Sequence, residues 1–136
     1  MVDFLPQDSL VNEINNSISD YDVLMGEASS KWGQSRGDLE DLMKRIAYHE
    51  SKGISGASQL GGGPGRGLYQ FETGKGGAGE TAANRLVHEL GYTPDWLNIT
   101  EEGLDASSLN PEQQNMLFLA NYMQKPSKGS SMRDVG

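Results

Sequence analysis

The chain has 136 residues, a formal net charge of −8 and no cysteine. This length is typical of one domain whose core stands without metal or disulfide support. The acidic balance disfavours nucleic-acid binding, which requires clustered lysine and arginine, and the lack of cysteine excludes disulfides and thiolate metal sites.

Residues 1–37 are predicted to form a helical N-terminal arm. A first helix is indicated by apolar residues at helical spacing, namely Leu10, Val11, Ile14 and Ile18. A second short helix, from Tyr21 to Trp32, is expected to end around Gly33 and Gly37. The N-terminus has neither the basic nor the apolar region of a signal peptide, and no run reaches the roughly 18 apolar residues of a membrane span. We therefore expect no signal peptide and no membrane insertion.

The next helix is predicted from about Asp38 to Lys52, with Gly53 as its stop. Its apolar stripe at i, i+3, i+4 and i+7 consists of Leu39, Leu42, Met43 and Ile46. At about 100° per residue, Glu50 falls about 20° from Leu39, in the middle of this stripe.

A carboxylate on an apolar stripe is unfavourable to bury when it is ionised. We therefore expect Glu50 to have a raised pKa or to lie at the mouth of a cleft, and either environment suits a general acid. The alternative is a glutamate at a fraying helix end that turns to solvent. His49, at the edge of the stripe, is expected to be structural or exposed.

A glycine-rich segment, residues 53–79, holds 11 of the 18 glycines. Because each glycine costs about 1 kcal/mol in a helix, this segment is predicted to be loop and β-hairpin. The best strand candidate is Gly67 to Phe71, on which Tyr69 and Gln70 would point to opposite faces.

Two further helices are predicted after the glycine-rich segment. The first runs from Glu80 to Leu90 and is closed by Gly91. The second runs to about Gln124 and begins with an N-cap, a proline at the first helical position and a reciprocal glutamine, namely Asn110, Pro111 and Gln113. The Ser/Gly/Lys-rich tail, residues 125–136, is expected to be flexible.

Two motifs resemble those of the soluble lytic transglycosylase and goose-type lysozyme superfamily. There, a catalytic glutamate followed by serine ends a helix, and a Gly-Leu-Met-Gln strand faces it across a cleft. Glu50-Ser51 and Gly67-Leu68-Tyr69-Gln70 resemble these motifs, with Tyr69 in place of the usual methionine. The start of the last helix, Asn110 to Asn115, is similar to the Pro-Glu-x-Asn helix of that superfamily. The sequence of residues 65–72 is most similar to sequences of virion-associated muralytic proteins of tailed phages.

The resemblance implies an α+β fold, mostly α. It would be a lysozyme-like domain over residues 38–124, with a small glycine-rich β-hairpin beside the catalytic cleft. The implied activity is cleavage of the β-1,4 bond between N-acetylmuramic acid and N-acetylglucosamine in peptidoglycan, with Glu50 as general acid and base. We therefore expect peptidoglycan glycan strands and other virion or tail proteins as partners. The expected location is the phage particle, acting in the bacterial cell wall or periplasm, and no cofactor or metal is expected.

Two branches of the superfamily differ in the second step. In the transglycosylase branch one glutamate serves as acid and then as base, and the sugar's own 6-hydroxyl attacks to give a 1,6-anhydro product. In the goose-type branch water attacks, which requires a second carboxylate to hold it. Glu72 is the candidate for that role, with a solvated strand-end residue as the alternative. Asp95 and Glu80 are weaker candidates without motif support.

Three neighbouring side chains are candidate sugar contacts. Gln70 is expected to hydrogen-bond an acetamido group, and Tyr69 to stack on a sugar ring or to belong to the core. Ser51 would orient Glu50 or contact sugar, or would be an ordinary hydroxyl at a helix end.

One motif of the superfamily is missing. An Ala-Tyr-Asn motif, whose tyrosine touches the catalytic glutamate, is absent, and Ala120-Asn121-Tyr122 has these residues in another order. We therefore expect that a longer polypeptide, a partner or another tyrosine completes the cleft.

Two other functions compete with cleavage. Gly74 to Gly79 fits Gly-x-Gly-x-x-Gly before a helix, but a dinucleotide site also requires a βαβ context whose second buried strand carries an acidic residue about 20 positions on, and this context is lacking. The stronger competitor is a catalytically inactive lysozyme-fold subunit of the virion that is structural or binds the cell wall.

Overall fold

A computed structural model of the protein describes residues 19–124. Its α-helices are α1 (Asp20–Trp32), α2 (Arg36–Ser51), α3 (Ala78–Asn84) and α4 (Pro111–Gln124). Its strands, β1 (Gly65–Arg66) and β2 (Phe71–Glu72), form one antiparallel sheet. The described part is therefore mostly helical with a small sheet, which confirms the predicted α+β class. The predicted first helix at Leu10 to Ile18 and the predicted flexible tail lie outside the described residues.

Serine caps start the first two helices. The Ser19 hydroxyl accepts a hydrogen bond from the Asp22 N–H (3.1 Å), and the Ser35 hydroxyl accepts one from the Asp38 N–H (3.0 Å). Each bond satisfies a backbone donor that the first turn leaves open. Because Ser35 is the cap, α2 begins at Arg36, two residues before the predicted Asp38.

Left-handed residues end the same two helices. Gly33 closes α1 with φ 64°, close to the predicted stop. Helix α2 is closed first by Lys52, with φ 59°, and then by Gly53, with φ 78°. A left-handed lysine carries a steric cost that glycine avoids, so the chain leaves α2 through one strained residue before it reaches the glycine.

Helix α1 belongs to the core. Three of its residues, Leu24, Met25 and Ala28, are fully buried. The Trp32 indole N–H donates to the Tyr122 carbonyl of α4 (3.2 Å), and the two rings lie 5.2 Å apart. The described part of the predicted N-terminal arm therefore shares one core with the predicted domain at 38–124.

The hairpin differs from its prediction. Strand pairing joins Gly65 to Glu72 and Arg66 to Phe71, so residues 67–70 form the turn between the strands. The prediction of a strand from Gly67 to Phe71 is wrong. Gly67 (φ 82°) and Gln70 (φ 53°) are left-handed, which an extended strand does not allow. The expected alternation of Tyr69 and Gln70 across a strand fails for the same reason.

The later helices follow the sequence more closely. Helix α3 begins at Ala78, two residues before the predicted Glu80, and continues as one wider π-helical turn at Arg85–Glu89. Gly91, with φ 81°, follows this turn as predicted. The predicted capping box of α4 is confirmed, because Asn110 and Gln113 exchange hydrogen bonds of 2.8 and 2.9 Å between side chain and backbone.

Candidate functional site

Glu50 lies in the last turn of α2, and its side chain is exposed. The buried residues of α2 follow one another in four-residue steps, namely Leu39, Met43, Ala47 and Ser51. A step of four residues rotates the buried position by about 40° around the helix axis. At the end of α2 the buried position is therefore Ser51, which points about 100° away from Glu50.

The prediction that Glu50 lies in the middle of the apolar face is therefore wrong. The expected stripe assumed that burial stays centred on one angle along the helix, whereas the buried line drifts around it. The Glu50 carboxylate has no hydrogen-bond or ion-pair partner among residues 19–124, so it is open to any molecule that approaches this end of α2.

The Ser51 side chain forms its hydrogen bond within α2. The side chain is buried, and its hydroxyl donates to the Ala47 carbonyl (2.9 Å). This matches the alternative of a hydroxyl at a helix end, because the donor hydrogen is engaged one turn back in α2.

The hairpin turn is held by one buried amide, Gln114 of α4. Its Oε1 accepts from the Leu68 N–H (2.7 Å), and its Nε2 donates to the carbonyls of Ser55 (2.9 Å) and Leu109 (2.8 Å). Gln114 is fully buried, so these bonds satisfy a side chain that would otherwise be costly to place there. Sequence reasoning missed this role. The signal was a second glutamine, directly after Gln113, on a helix with the consecutive apolar residues Met116 to Ala120.

Gln70 is bound to the backbone of its own loop. Its Nε2 donates to the carbonyl of Gly67 (2.8 Å) and, at 3.4 Å, to that of Ala57. Both amide hydrogens are thus engaged, and Gln70 serves to hold the turn against the segment that follows α2. Its predicted hydrogen bond to an acetamido group would need one of these bonds to open or would use only the Oε1 acceptor.

Tyr69 lies in the core, which was the alternative expectation for this residue. Its ring stacks on Phe118 with the centroids 4.6 Å apart, and its hydroxyl donates to the Asn115 Oδ1. Burial raises the pKa of Tyr69 well above its ordinary value of 10, so the hydroxyl stays a neutral donor.

A groove of about 460 Å³ runs between α2, the hairpin turn and α4. We call it the α2 groove; its walls include Met43, Ala47, Tyr48, Leu68, Tyr69 and Asn115. At its rim Tyr48 is 62% exposed, with the Lys52 ammonium 5.0 Å from the ring centroid. The groove thus brings together the end of α2, the hairpin turn and the start of α4. Glu50 lies outside its lining.

Glu72, the candidate second carboxylate, ends β2 and is exposed. Its side chain has no hydrogen-bond or ion-pair partner in the part of the chain that the structure describes. The weaker candidates differ in setting, because Asp95 is exposed whereas the Glu80 Oε1 accepts from the Gly76 N–H (3.2 Å).

Backbone atoms pack closely around two glycines, one just before α3 and one in the later segment that contacts Gly74. A Cβ on Gly77 would lie 2.5 Å from the Glu72 carbonyl oxygen, and one on Gly103 would lie 2.1 Å from that of Gly74. These glycines therefore allow the chain to pack closely on itself. The Glu80 carboxylate accepts from the Gly76 N–H, so an acidic side chain already occupies a backbone donor that a phosphate would need.

The missing tyrosine motif has no substitute in α4. Tyr122, from Ala120-Asn121-Tyr122, is fully buried and donates to the Gln34 Oε1.

Within residues 19–124, no group of three or more metal-ligating side chains is found. No helix in the same range is long and apolar enough to cross a membrane.

We compared the chain with protein-family models, with curated proteins and with solved structures, and none of them matches it. The superfamily resemblance therefore rests on the motifs alone.

Proposed function

We propose that this protein has a lysozyme-like fold and cleaves the β-1,4 bond between N-acetylmuramic acid and N-acetylglucosamine, with Glu50 as general acid and base. The observation that carries the proposal is the meeting of three segments that are distant in sequence. The end of α2, the turn at residues 67–70 and the start of α4 line the α2 groove together. Gln114 ties two of them directly, through its bond to Leu68.

An exposed carboxylate suits a polymeric substrate. A glycan strand is too long to enter a closed cavity, so the acid that cleaves it has to be reachable from outside. When a sugar covers Glu50 it excludes water, so the Glu50 carboxyl and the glycosidic oxygen face each other without intervening solvent. The proton then moves to the glycosidic oxygen as the bond between that oxygen and the anomeric carbon breaks.

The second step follows one of two routes. In the first, the Glu50 carboxylate takes the proton of the sugar's 6-hydroxyl as that oxygen attacks the anomeric carbon, which gives a 1,6-anhydro end. In the second, water attacks instead, and Glu72 is the carboxylate available to hold it. The first route needs no second carboxylate, so a role of Glu72 distinguishes the two.

The test of Glu50 is the variant Glu50→Gln, which removes the transferable proton at nearly constant size. We expect the parent chain to clear a peptidoglycan suspension. The clearing rate of the variant should be lower by a factor of at least about 100. The matched control is Glu101→Gln, at another exposed glutamate, which should retain full activity. Circular dichroism checks that both variants fold. Clearing by Glu50→Gln at the parental rate would remove Glu50 from the proposal.

Glu72→Gln tests the route. Mass spectrometry of the released fragments identifies the products, because anhydro ends indicate a transglycosylase and reducing ends a hydrolase. We expect Glu72→Gln to abolish release only when reducing ends are formed. If anhydro ends are formed and Glu72→Gln still abolishes release, the division of roles between Glu50 and Glu72 is wrong.

The second candidate function is an inactive virion subunit that is structural or binds the cell wall. It is favoured by the fact that Ser51, Tyr69 and Gln70 make their hydrogen bonds within the protein. Under this function the chain sediments with insoluble peptidoglycan and releases no soluble fragments. For both functions we propose the phage particle as location, with other virion or tail proteins as neighbours, and this rests on the sequence of residues 65–72.

A further inference from the structure

A second cavity, of about 410 Å³, lies beyond the end of β2. We call it the Trp96 pocket; its lining includes Thr73, Trp96, Asn98, Glu102, Asp105 and Leu109. Thr73 directly follows Glu72, so the pocket begins at the strand end that carries the candidate second carboxylate. Its volume lies within the range of about 300–1,000 Å³ that is typical of small-molecule sites.

Several polar groups of the Trp96 pocket are unused. Among residues 19–124, no hydrogen-bond partner is found for the Trp96 indole N–H or for the side chains of Asn98 and Glu102. The other tryptophan differs, because the Trp32 indole donates to Tyr122. Asp105 is also engaged, since its Oδ1 accepts from the N–H and hydroxyl of Ser107. The free groups are thus one indole donor, one amide and one carboxylate.

The charge of the Trp96 pocket excludes anionic ligands. Its lining contains two carboxylates, Glu102 and Asp105, and no lysine, arginine or histidine. A phosphate, nucleotide or acidic peptide would meet like charge without a compensating cation. A partly buried aromatic ring beside neutral donors and acceptors instead suits a flat, hydroxyl-rich and uncharged ring, for which the indole is both platform and donor.

We propose that the Trp96 pocket binds N-acetylglucosamine units of a glycan strand. Trp96 supplies the stacking surface, and Asn98 and Glu102 hydrogen-bond the acetamido and hydroxyl groups. The choice of sugar rests on the proposed function. Within peptidoglycan, the acidic lining selects the unit that carries no peptide, because the peptides borne by N-acetylmuramic acid are anionic. The pocket therefore holds this unit next to the strand end that carries Glu72.

The first experiment titrates the isotope-labelled full chain with a trimer of β-1,4-linked N-acetylglucosamine. We use Glu50→Gln so that the probe is not consumed. The chain has two tryptophans, and hence two indole signals in a nitrogen–proton correlation spectrum. We expect the Trp96 signal to shift with saturation and the Trp32 signal to stay in place. Trp96→Phe, which keeps an aromatic ring at this position, assigns the signals.

A matched pair of variants locates the binding. Asn98→Ala should raise the dissociation constant about fivefold, which corresponds to the loss of one neutral hydrogen bond. Asn84→Ala removes the same side chain from the exposed end of α3, outside the Trp96 pocket, and should leave the constant unchanged. Trp96→Phe should weaken binding at least as much as Asn98→Ala, because it removes both the indole donor and part of the stacking surface.

The proposal is overturned if the trimer shifts neither indole, or if both Asn98→Ala and Trp96→Phe bind it as tightly as the Glu50→Gln parent. The proposed cleavage and the proposed binding in the Trp96 pocket can be refuted independently of each other. Saturable shifts at Trp96 in a chain that releases no fragments would retain the pocket and refute cleavage. Fragment release without any shift at Trp96 would retain cleavage and refute the pocket.

Discussion

Gly67 is constrained by its backbone angle and by its neighbour. Its φ is 82°, and a Cβ at this position would lie 2.3 Å from the Oε1 of Gln114. That oxygen is already bound to the Leu68 N–H, so it is not free to move aside. Any side chain at Gly67 therefore displaces the amide that fixes the hairpin turn.

We predict that Gly67→Ala lowers the free energy of unfolding by about 3 kcal/mol, from the left-handed angle and the overlap together. Gly61 is the matched control, because its φ is 80° and a Cβ at this position would have no atom within 4 Å. Gly61→Ala should cost only the angle, about 1 kcal/mol. Urea unfolding of both variants measures the difference. Equal losses would mean that the contact with Gln114 is not a constraint.

The contacts of the hairpin turn and of Glu50 show why part of the candidate site was not predictable from the sequence. The sequence indicated that Glu50 and Ser51 lie in the last turn of α2 and that a glycine-rich segment follows. It did not indicate the bond between Leu68 and Gln114, which are 46 residues apart and meet only through the fold. Nor did it decide between a position in a cleft and a solvent-exposed position for Glu50, because burial along α2 depends on the elements that pack against it.

At the scale of elements, the start of α4 depends on its capping box. The Asn110 Oδ1 accepts from the Gln113 N–H (2.8 Å), and both residues are near the solvent surface. Asn110→Ala removes this acceptor and should lower the free energy of unfolding by about 1 kcal/mol. Asn110→Asp keeps an acceptor and adds a negative charge at the positive end of the helix, so it should retain or slightly raise stability. A loss of the same size in both variants, measured by thermal unfolding, would contradict the capping role.

Helix ends were predictable where one local feature determines them. Gly33 and the capping box at Asn110 act within one turn of the chain, so their sequence signals are sufficient. The hairpin was misplaced because Gln70 adopts a left-handed angle, and two bonds of its side chain to the loop backbone accompany that angle. Propensity alone does not assign a left-handed glutamine. The wide turn at Arg85–Glu89 likewise has no signature in a sequence that is typical of ordinary helix.

At the scale of the whole molecule, two tyrosines predict an alkaline limit to stability. Burial raises the pKa of Tyr122 to about 12, from an ordinary value of 10, and raises that of Tyr69 further. Below pH 10 both the folded and unfolded states keep these protons, so their contribution to stability is complete. As the pH rises above 10 the unfolded state loses its protons first, which stabilises it relative to the folded state.

We therefore expect the free energy of unfolding to fall between pH 10 and about 12. Urea unfolding over a series of pH values measures the decline, and tyrosinate absorbance follows the ionisation. Tyr122→Phe removes one titrating group and should make the decline less steep. A free energy of unfolding that stays constant up to pH 12 would contradict the burial of both hydroxyls.

The contact between α1 and α4 also bears on how the protein is made. Trp32 and Tyr122 are separated by 90 positions, and the fully buried face of α1 packs in the same core as α4. Domains fold as units, and long-range contacts cannot form before both partners exist. During translation, α1 therefore leaves the ribosome before α4, its partner in the core. The apolar face of α1 thus lacks its contacts with α4 until α4 has emerged.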